Sequence, residues 1–218
     1  MQLETVRHQM IQQQLRTWDV LDPQVLEIFE HLPREAFVPQ GYADVAYADV
    51  TIPLGHGNCM LTPKVAGRIL QAVRPRSTDS VLEIGTGSGY LTAALAAAAA
   101  HVRSLEIRAD LATQASRVLT STGARNANVE HRDAFAPEAL GSGTHDVIVL
   151  TASLPQYDER FERQLAIGGR LFVVVGRAPA MTALLIERTG EHAWQRRELF
   201  DTSLEPLVGA TGPSKFEF

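Results

Sequence analysis

Val81-Leu82-Glu83-Ile84-Gly85-Thr86-Gly87-Ser88-Gly89-Tyr90 is the stretch that decides the fold. Val81 to Ile84 reads as a buried strand, three glycines at alternating positions follow at once, and Leu91 to Ala100 reads as a helix. Glycine permits positive φ and lacks the Cβ that would hold a ligand off the backbone, and the helix N-terminus behind it offers free N–H groups. A dinucleotide fingerprint of the form G-x-G-x-x-G would need its third glycine where Tyr90 stands. Glu83, two residues before the first glycine, would also repel a pyrophosphate. The turn therefore suits a ligand that is cationic and carries no phosphate.

Working outward, short apolar runs alternate with helical segments. Val102 to Ile107, Val129 to His131, Val147 to Leu150 and Leu171 to Val175 read as strands, with helices predicted over Ala109 to Thr122 and Tyr157 to Leu165. This alternation predicts an α/β fold with a Rossmann-like, doubly wound, mostly parallel sheet and helices on both faces. Leu184 to Arg188 and Trp194 to Phe200 read as a closing antiparallel pair. Ala93 to Ala100 is expected to be a smooth helix packed close to the sheet. Upstream lies an N-terminal helical segment: Glu4 to His31 carries apolar residues at helical spacing in two helices, the second capped by Asp22 with Pro23 in its first turn and ending at Leu32-Pro33. Arg34 to Pro63, crowded with prolines, glycines and tyrosines, reads as a structured loop of about 30 residues, a length that marks a binding surface. The expected organisation is one integrated domain, with residues 1–79 supplying helices and loop and residues 80–218 the core.

Composition narrows the classes. The 218 residues are 45% hydrophobic and 21% charged, which excludes a disordered or disulfide-scaffold chain. A net charge of -5 and a pI near 5.8 argue against nucleic acid as a partner. Cys59 is the single cysteine, and the seven histidines show no metal-ligand spacing, so no metal is expected. The start of the chain lacks a signal-peptide pattern and the alanine run is too short to span a bilayer, so a cytoplasmic protein with no membrane partner is expected. Trp18 and Trp194 read as packing residues.

S-adenosylmethionine carries a sulfonium, an ammonium and a ribose, and no phosphate, which matches what the turn asks for. The pattern E-x-G-x-G-x-G over Glu83 to Gly89 resembles motif I of the class I S-adenosylmethionine-dependent methyltransferases. That resemblance implies that Glu106, ending the second strand, takes the ribose hydroxyls, and that Asp133, after the third, meets the adenine amino group. Three acids at three successive strand ends strengthen the likeness. The implied cofactor set comprises Glu83, Gly85, Thr86, Gly87, Ser88 and Gly89 on the turn, Glu106, Ile107, Asp133, Ala134 and Thr151 at neighbouring strand ends, and Gly57, Cys59 and Met60 from the loop.

Across most of the chain the sequence is similar to the protein-L-isoaspartate O-methyltransferases, a protein-repair family. Leu32-Pro33-Arg34-Glu35-Ala36-Phe37-Val38-Pro39 resembles the family's V-P-R-E-x-F-V-P, Ala46-Tyr47-Ala48-Asp49 with Ile52 to Gly57 resembles its A-Y-x-D-x-P-L-P-I-G-x-G, and Val81 to Tyr90 matches it without a change. Gln164-Leu165 with Gly168 to Leu171 resembles Q-L-x-x-G-G-R-L. The resemblance implies an isoaspartyl-containing peptide or protein as methyl acceptor; Asp49, Leu61 and Thr62, by their place in its motifs, and His56, by its place between two glycines of the same loop, are the candidate catalytic residues. It also exposes departures. The family's Q-T-I-S-x-P is here Asn58-Cys59-Met60-Leu61-Thr62-Pro63, with Leu61 at the serine position and the Thr62 hydroxyl one place later. The family's V-R-F-V-P-L is here Thr202-Ser203-Leu204-Glu205-Pro206-Leu207, without the arginine. Two other readings stay open: a diverged methyltransferase of the same build acting on another small acceptor, and a S-adenosylmethionine-binding module without catalysis.

Overall fold

The structure, a computed structural model, describes residues 3–210 and Gly212. Helix α1 (Leu3–Met10) runs on through a π turn (Ile11–Leu15) and a 3-10 turn (Arg16–Trp18), and stops where Asp19 adopts a left-handed φ of 57°. Helix α2 (Pro23–His31) starts as its sequence demands: the Asp22 carboxylate accepts from the Gln24 N–H at 2.9 Å, and Pro23 needs no partner in the first turn. Its inner face buries Val25, Leu26 and Phe29, each contributing roughly 1.5–3 kcal/mol.

The region read as loop is built from 3-10 turns at Arg34–Phe37 and Ala43–Val45 and a hairpin of β1 (Ile52–Gly55) and β2 (Asn58–Met60). His56 and Gly57, with φ of 54° and 78°, make its tight turn. Helix α3 (Pro63–Val73) was not foreseen, since no element was assigned between Pro63 and Ser80; Thr62 and Pro63 open it, and Val65, Ala66, Ile69, Leu70 and Val73 form its buried stripe.

The remaining chain forms one seven-stranded sheet. In chain order come β3 (Ser80–Ile84), α4 (Tyr90–Ala98), β4 (His101–Glu106), α5 (Ala109–Ser121), β5 (Ala127–His131), β6 (His145–Leu154), a single turn α6 (Glu159–Glu162), β7 (Leu165–Arg177), β8 (Ala180–Gly190) and β9 (Ala193–Asp201). The strand order is β5-β4-β3-β6-β7-β8-β9. The first five neighbours pair in parallel and β8 and β9 close the edge antiparallel, which bears out the mostly parallel expectation. Two corrections concern lengths. The helix expected over Tyr157 to Leu165 is one turn long, because Leu165 already pairs with His145; β7 accordingly runs well beyond Leu171 to Val175 at both ends.

Side-chain alternation sorts the sheet into two cores. Val81, Val102, Val147, Val149, Phe172 and Val174 share one face with α1, α2, α3 and α4, while Leu82, Ile84, Ile148, Leu150, Leu171 and Val173 pack on the other. The alanine run lies in α4 as far as Ala98, with Ala93, Ala94, Ala96 and Ala98 buried, and leaves the helix at Ala99 and Ala100. The N-terminal helices join the first core directly: Phe29 and Phe37 meet the Tyr90 ring edge-on at 5.7 and 5.5 Å. Among the described residues, no helix is long and apolar enough to cross a membrane.

Candidate active site

Order reverses between β3 and β6, where the chain crosses from one half of the parallel sheet to the other, and such switch points open a crevice at the carboxyl ends of the strands. A cavity of about 500 Å³ lies there. Ile84 and Gly85 floor it from β3, Glu106 and Ile107 from β4, Asp133 and Ala134 from the end of β5, and Thr151 and Ala152 from β6. Cys59, Met60, Leu61, Thr62 and Lys64 form the wall supplied by β2 and α3, and residues Asp201 to Val208 the opposite wall. A recess of about 50 Å³ beside it adds Thr86 and Ser88.

The glycine turn is held open by backbone geometry. Gly85, Gly87 and Gly89 have φ of 95°, 55° and 84°. At Gly85 the space is also taken, because a Cβ there would run into the Thr151 hydroxyl, which donates to the Gly85 carbonyl at 2.6 Å. Glu106 sits at the edge of the turn: one carboxylate oxygen accepts from the Gly87 N–H at 2.8 Å and the other from the Arg108 N–H at 3.0 Å, which fixes its orientation toward the cavity. Asp133 is oriented in the same way by the Phe135 N–H at 2.9 Å. Glu106, Asp133, Asp201 and Glu205 line the cavity against Lys64 and Arg132, a balance that favours a cationic ligand.

Glu83 is placed differently from expectation. It shares the face of Val81 and lies beneath the turn, fully buried and outside the cavity lining. Its Oε2 accepts from the Thr92 hydroxyl of α4 and from the Ser104 hydroxyl of β4 at 2.6 Å, and Ser104 in turn accepts from Thr86 at 2.6 Å. The carboxylate thus ties strand, turn and helix together from below. Burial, assisted by the charge of Glu106, pushes its pKa up to about 7 against the pull of those hydroxyls.

Of the remaining expected residues, Leu61 and Thr62 line the cavity, and the Thr62 hydroxyl is buried without a partner. Gly57 and His56 sit at the hairpin tip outside the lining, where the His56 Nε2 meets Asp110 at 2.9 Å and holds that carboxyl below the usual range. Gly89 caps α4 and lets α5 approach closely, its missing Cβ lying 3.3 Å from that of Ala115. Asp49 is exposed and outside the lining, bonded to Lys64 at 2.6 Å.

Sequence reasoning did not place at the site three groups that the structure brings forward. Arg34, fully buried, donates to the Ala46 carbonyl and to the Leu61 carbonyl, each at 2.7 Å, and stacks on Tyr90 at 4.7 Å, so it moors the wall that carries Leu61. Ser153 anchors the opposite wall: its N–H donates to the Glu205 carbonyl, its hydroxyl to the Leu204 carbonyl, and its carbonyl accepts from the Leu207 N–H. Trp18, expected to pack, is 38% exposed and lies on the cavity with Lys64 over its ring. A lone lysine beside a helix-opening proline was the available signal for Lys64.

Comparison with known proteins agrees with this geometry. The family described as Protein-L-isoaspartate(D-aspartate) O-methyltransferase (PCMT) matches residues 5–211. Protein-L-isoaspartate O-methyltransferase of Rhodopseudomonas palustris is 36% identical over 204 residues, covering 93% of each chain. Protein-L-isoaspartate O-methyltransferase 2 of Pelobacter propionicus is 38% identical over 210 residues, covering 94% of this chain and 92% of its own. Among solved structures, a putative protein-L-isoaspartate O-methyltransferase from Plasmodium falciparum in complex with S-adenosyl-L-homocysteine superposes with a TM-score of 0.78 at 18% identity, covering 94% of this chain and 97% of its own. A second structure of that enzyme name gives 0.80 at 22% identity, with 94% and 67% covered. At those identities the structures speak to the fold, while the sequence matches speak to descent. The chain belongs to the protein-L-isoaspartate(D-aspartate) O-methyltransferase family.

Proposed function

We propose that this chain transfers a methyl group from S-adenosylmethionine to the free carboxylate of an isoaspartyl residue in a peptide or protein. The observation that carries the donor side is the Glu106 carboxylate, held by the Gly87 and Arg108 amides at the edge of a bare glycine turn, with Asp133 at the next strand end. These residues fit an adenosyl group carrying a cationic amino-acid end: Glu106 and Asp133 offer acceptors to its hydroxyl and amino groups, and Gly85 and Gly87 leave backbone exposed. Family membership supports the acceptor.

When bound, the cofactor supplies an electrophilic methyl on sulfur, so that a carboxylate oxygen forms the new C–O bond while the C–S electron pair stays on sulfur. The acceptor carboxyl, with an ordinary pKa near 3.5, is already ionised at neutral pH, and no general base is required. The cavity lining contains no histidine, in keeping with that chemistry. What the protein contributes is alignment and exclusion of water. Leu61, moored by Arg34 through its carbonyl, gives the acceptor an apolar neighbour that does not solvate its charge. The Thr62 hydroxyl, lacking any partner, is the polar group beside it.

The test is transfer of labelled methyl from S-adenosylmethionine to a synthetic isoaspartyl peptide, with its aspartyl isomer as control and cofactor binding followed by calorimetry. Turnover of the isoaspartyl form alone is the expected result. Binding of the donor without turnover of that peptide, but with methylation of a small-molecule extract, would favour the diverged-acceptor reading that Leu61 keeps open.

A further inference from the structure

Among the cavity-lining residues of the acceptor wall, α3 presents one cation. The chain has 18 arginines and only two lysines, and one of those is Lys64. It stands at the second position of α3, where a positive charge opposes the helix dipole, so helix stability does not account for it. Its ammonium is held by the Asp49 carboxylate at 2.6 Å and lies 4.2 Å from the centre of the Trp18 ring. Asp49 stays outside the lining while Lys64 and Trp18 are part of it. The other cation of the lining, Arg132, follows β5 beside Asp133.

We infer that Lys64 is the specificity-determining residue that receives the carboxylate of the acceptor, with Asp49 and Trp18 as the brackets that aim it. An ammonium has three N–H donors; Asp49 takes one and the ring face occupies a second direction, leaving a third for an incoming carboxylate. Asp201 and Glu205 on the facing wall repel an anion, which favours an incoming carboxylate on the wall that carries Lys64. A lysine is a point charge rather than a planar fork, so it engages one carboxylate oxygen and leaves the other free to attack. Once methylated, the acceptor is a neutral ester, and the attraction that held it is gone. The inference rests on the isoaspartyl reading above and names the residue that would recognise that acceptor.

The experiment uses the full chain, as wild type, Lys64→Met and Lys64→Arg. Calorimetry measures isoaspartyl-peptide affinity with S-adenosylhomocysteine present, and S-adenosylhomocysteine affinity alone; initial rates give KM and kcat. Lys64→Met is expected to weaken peptide binding and raise KM by about ten- to a hundredfold, the worth of a charged hydrogen bond. Cofactor affinity should stay within about twofold, and Lys64→Arg should recover most of the peptide binding because the charge is kept. Peptide affinity unchanged in Lys64→Met, or lost together with cofactor affinity, overturns the role. A wild type that binds S-adenosylhomocysteine yet neither binds nor methylates the peptide overturns the acceptor reading itself, and the role of Lys64 with it.

Discussion

Replacing Glu83 by Gln tests whether the carboxylate beneath the glycine turn is a buried, easily protonated strut. In the folded protein its pKa stands near 7, against 4.5 as the ordinary value, mainly because of burial. A raised acid pKa means that the folded state holds the proton more tightly than the unfolded chain. The contribution to stability is therefore fully present below about pH 4.5 and is lost as pH rises through about 7. At 1.36 kcal/mol per pKa unit, wild type should lose about 2–3 kcal/mol relative to Glu83→Gln between about pH 5 and about pH 8.5. Glutamine keeps an acceptor for Thr92 and Ser104 but cannot ionise, and its amide group would face the unpartnered Oε1 position, which costs about 1–3 kcal/mol at every pH. The quantity to read is thus the slope of the difference, not its offset. Urea unfolding across that range measures it, and the midpoint difference should drift by roughly 1 M. Parallel pH profiles for the two proteins would refute the reasoning, since they would mean that the carboxyl titrates alike in folded and unfolded chains.

Gly85→Ala should cost about 3 kcal/mol of stability and weaken S-adenosylhomocysteine binding by about tenfold or more, because φ is 95° and the new Cβ meets the Thr151 hydroxyl; unfolding and calorimetry on one preparation check both. Arg34→Met should lower stability by about 2 kcal/mol, leaving the Ala46 and Leu61 carbonyls without their donor, and should speed proteolysis within residues 43–61; an unchanged urea midpoint would remove Arg34 as the mooring of that wall. His56→Asn should leave kcat and cofactor affinity within about twofold, since asparagine tolerates the left-handed φ of 54° and the side chain points at Asp110 rather than the cavity. A fall in kcat of about tenfold would put His56 in the chemistry.

Periodicity and glycine placement made the parallel half of the sheet legible: β3, β4 and the helices after them lie within a residue or two of their expected bounds. Helix α3 escaped because its opening residues Thr62-Pro63 end a stretch dense in turn formers, and punctuation outweighed the apolar stripe behind it. Leu165 was read as the end of a helix from Tyr157, but pairing with His145 of β6 draws it into β7. In the candidate site, Glu106 and Asp133, which the resemblance to motif I singled out at successive strand ends, do line the cavity. Glu83 could not, because its facing depends on strand parity: it follows Val81 toward α4 and away from the cavity. Lys64, Asp49 and Trp18 meet across three separate segments, and no spacing in the sequence encodes that meeting.

The wall made by Thr202 to Val208 is tied to the sheet at Ser153 of β6 and at Met181 of β8, whose carbonyl accepts from the Thr202 N–H at 3.2 Å. The residues proposed to hold the donor stand at the carboxyl ends of core strands, whereas this strip follows the last strand and contributes none of the seven. Substitutions there should therefore disturb the sheet less than substitutions at the strand ends, and those seven positions join Lys64 as places where acceptor preference can be varied. A randomised library confined to that strip, Glu205 included, is the natural place to look for altered selectivity.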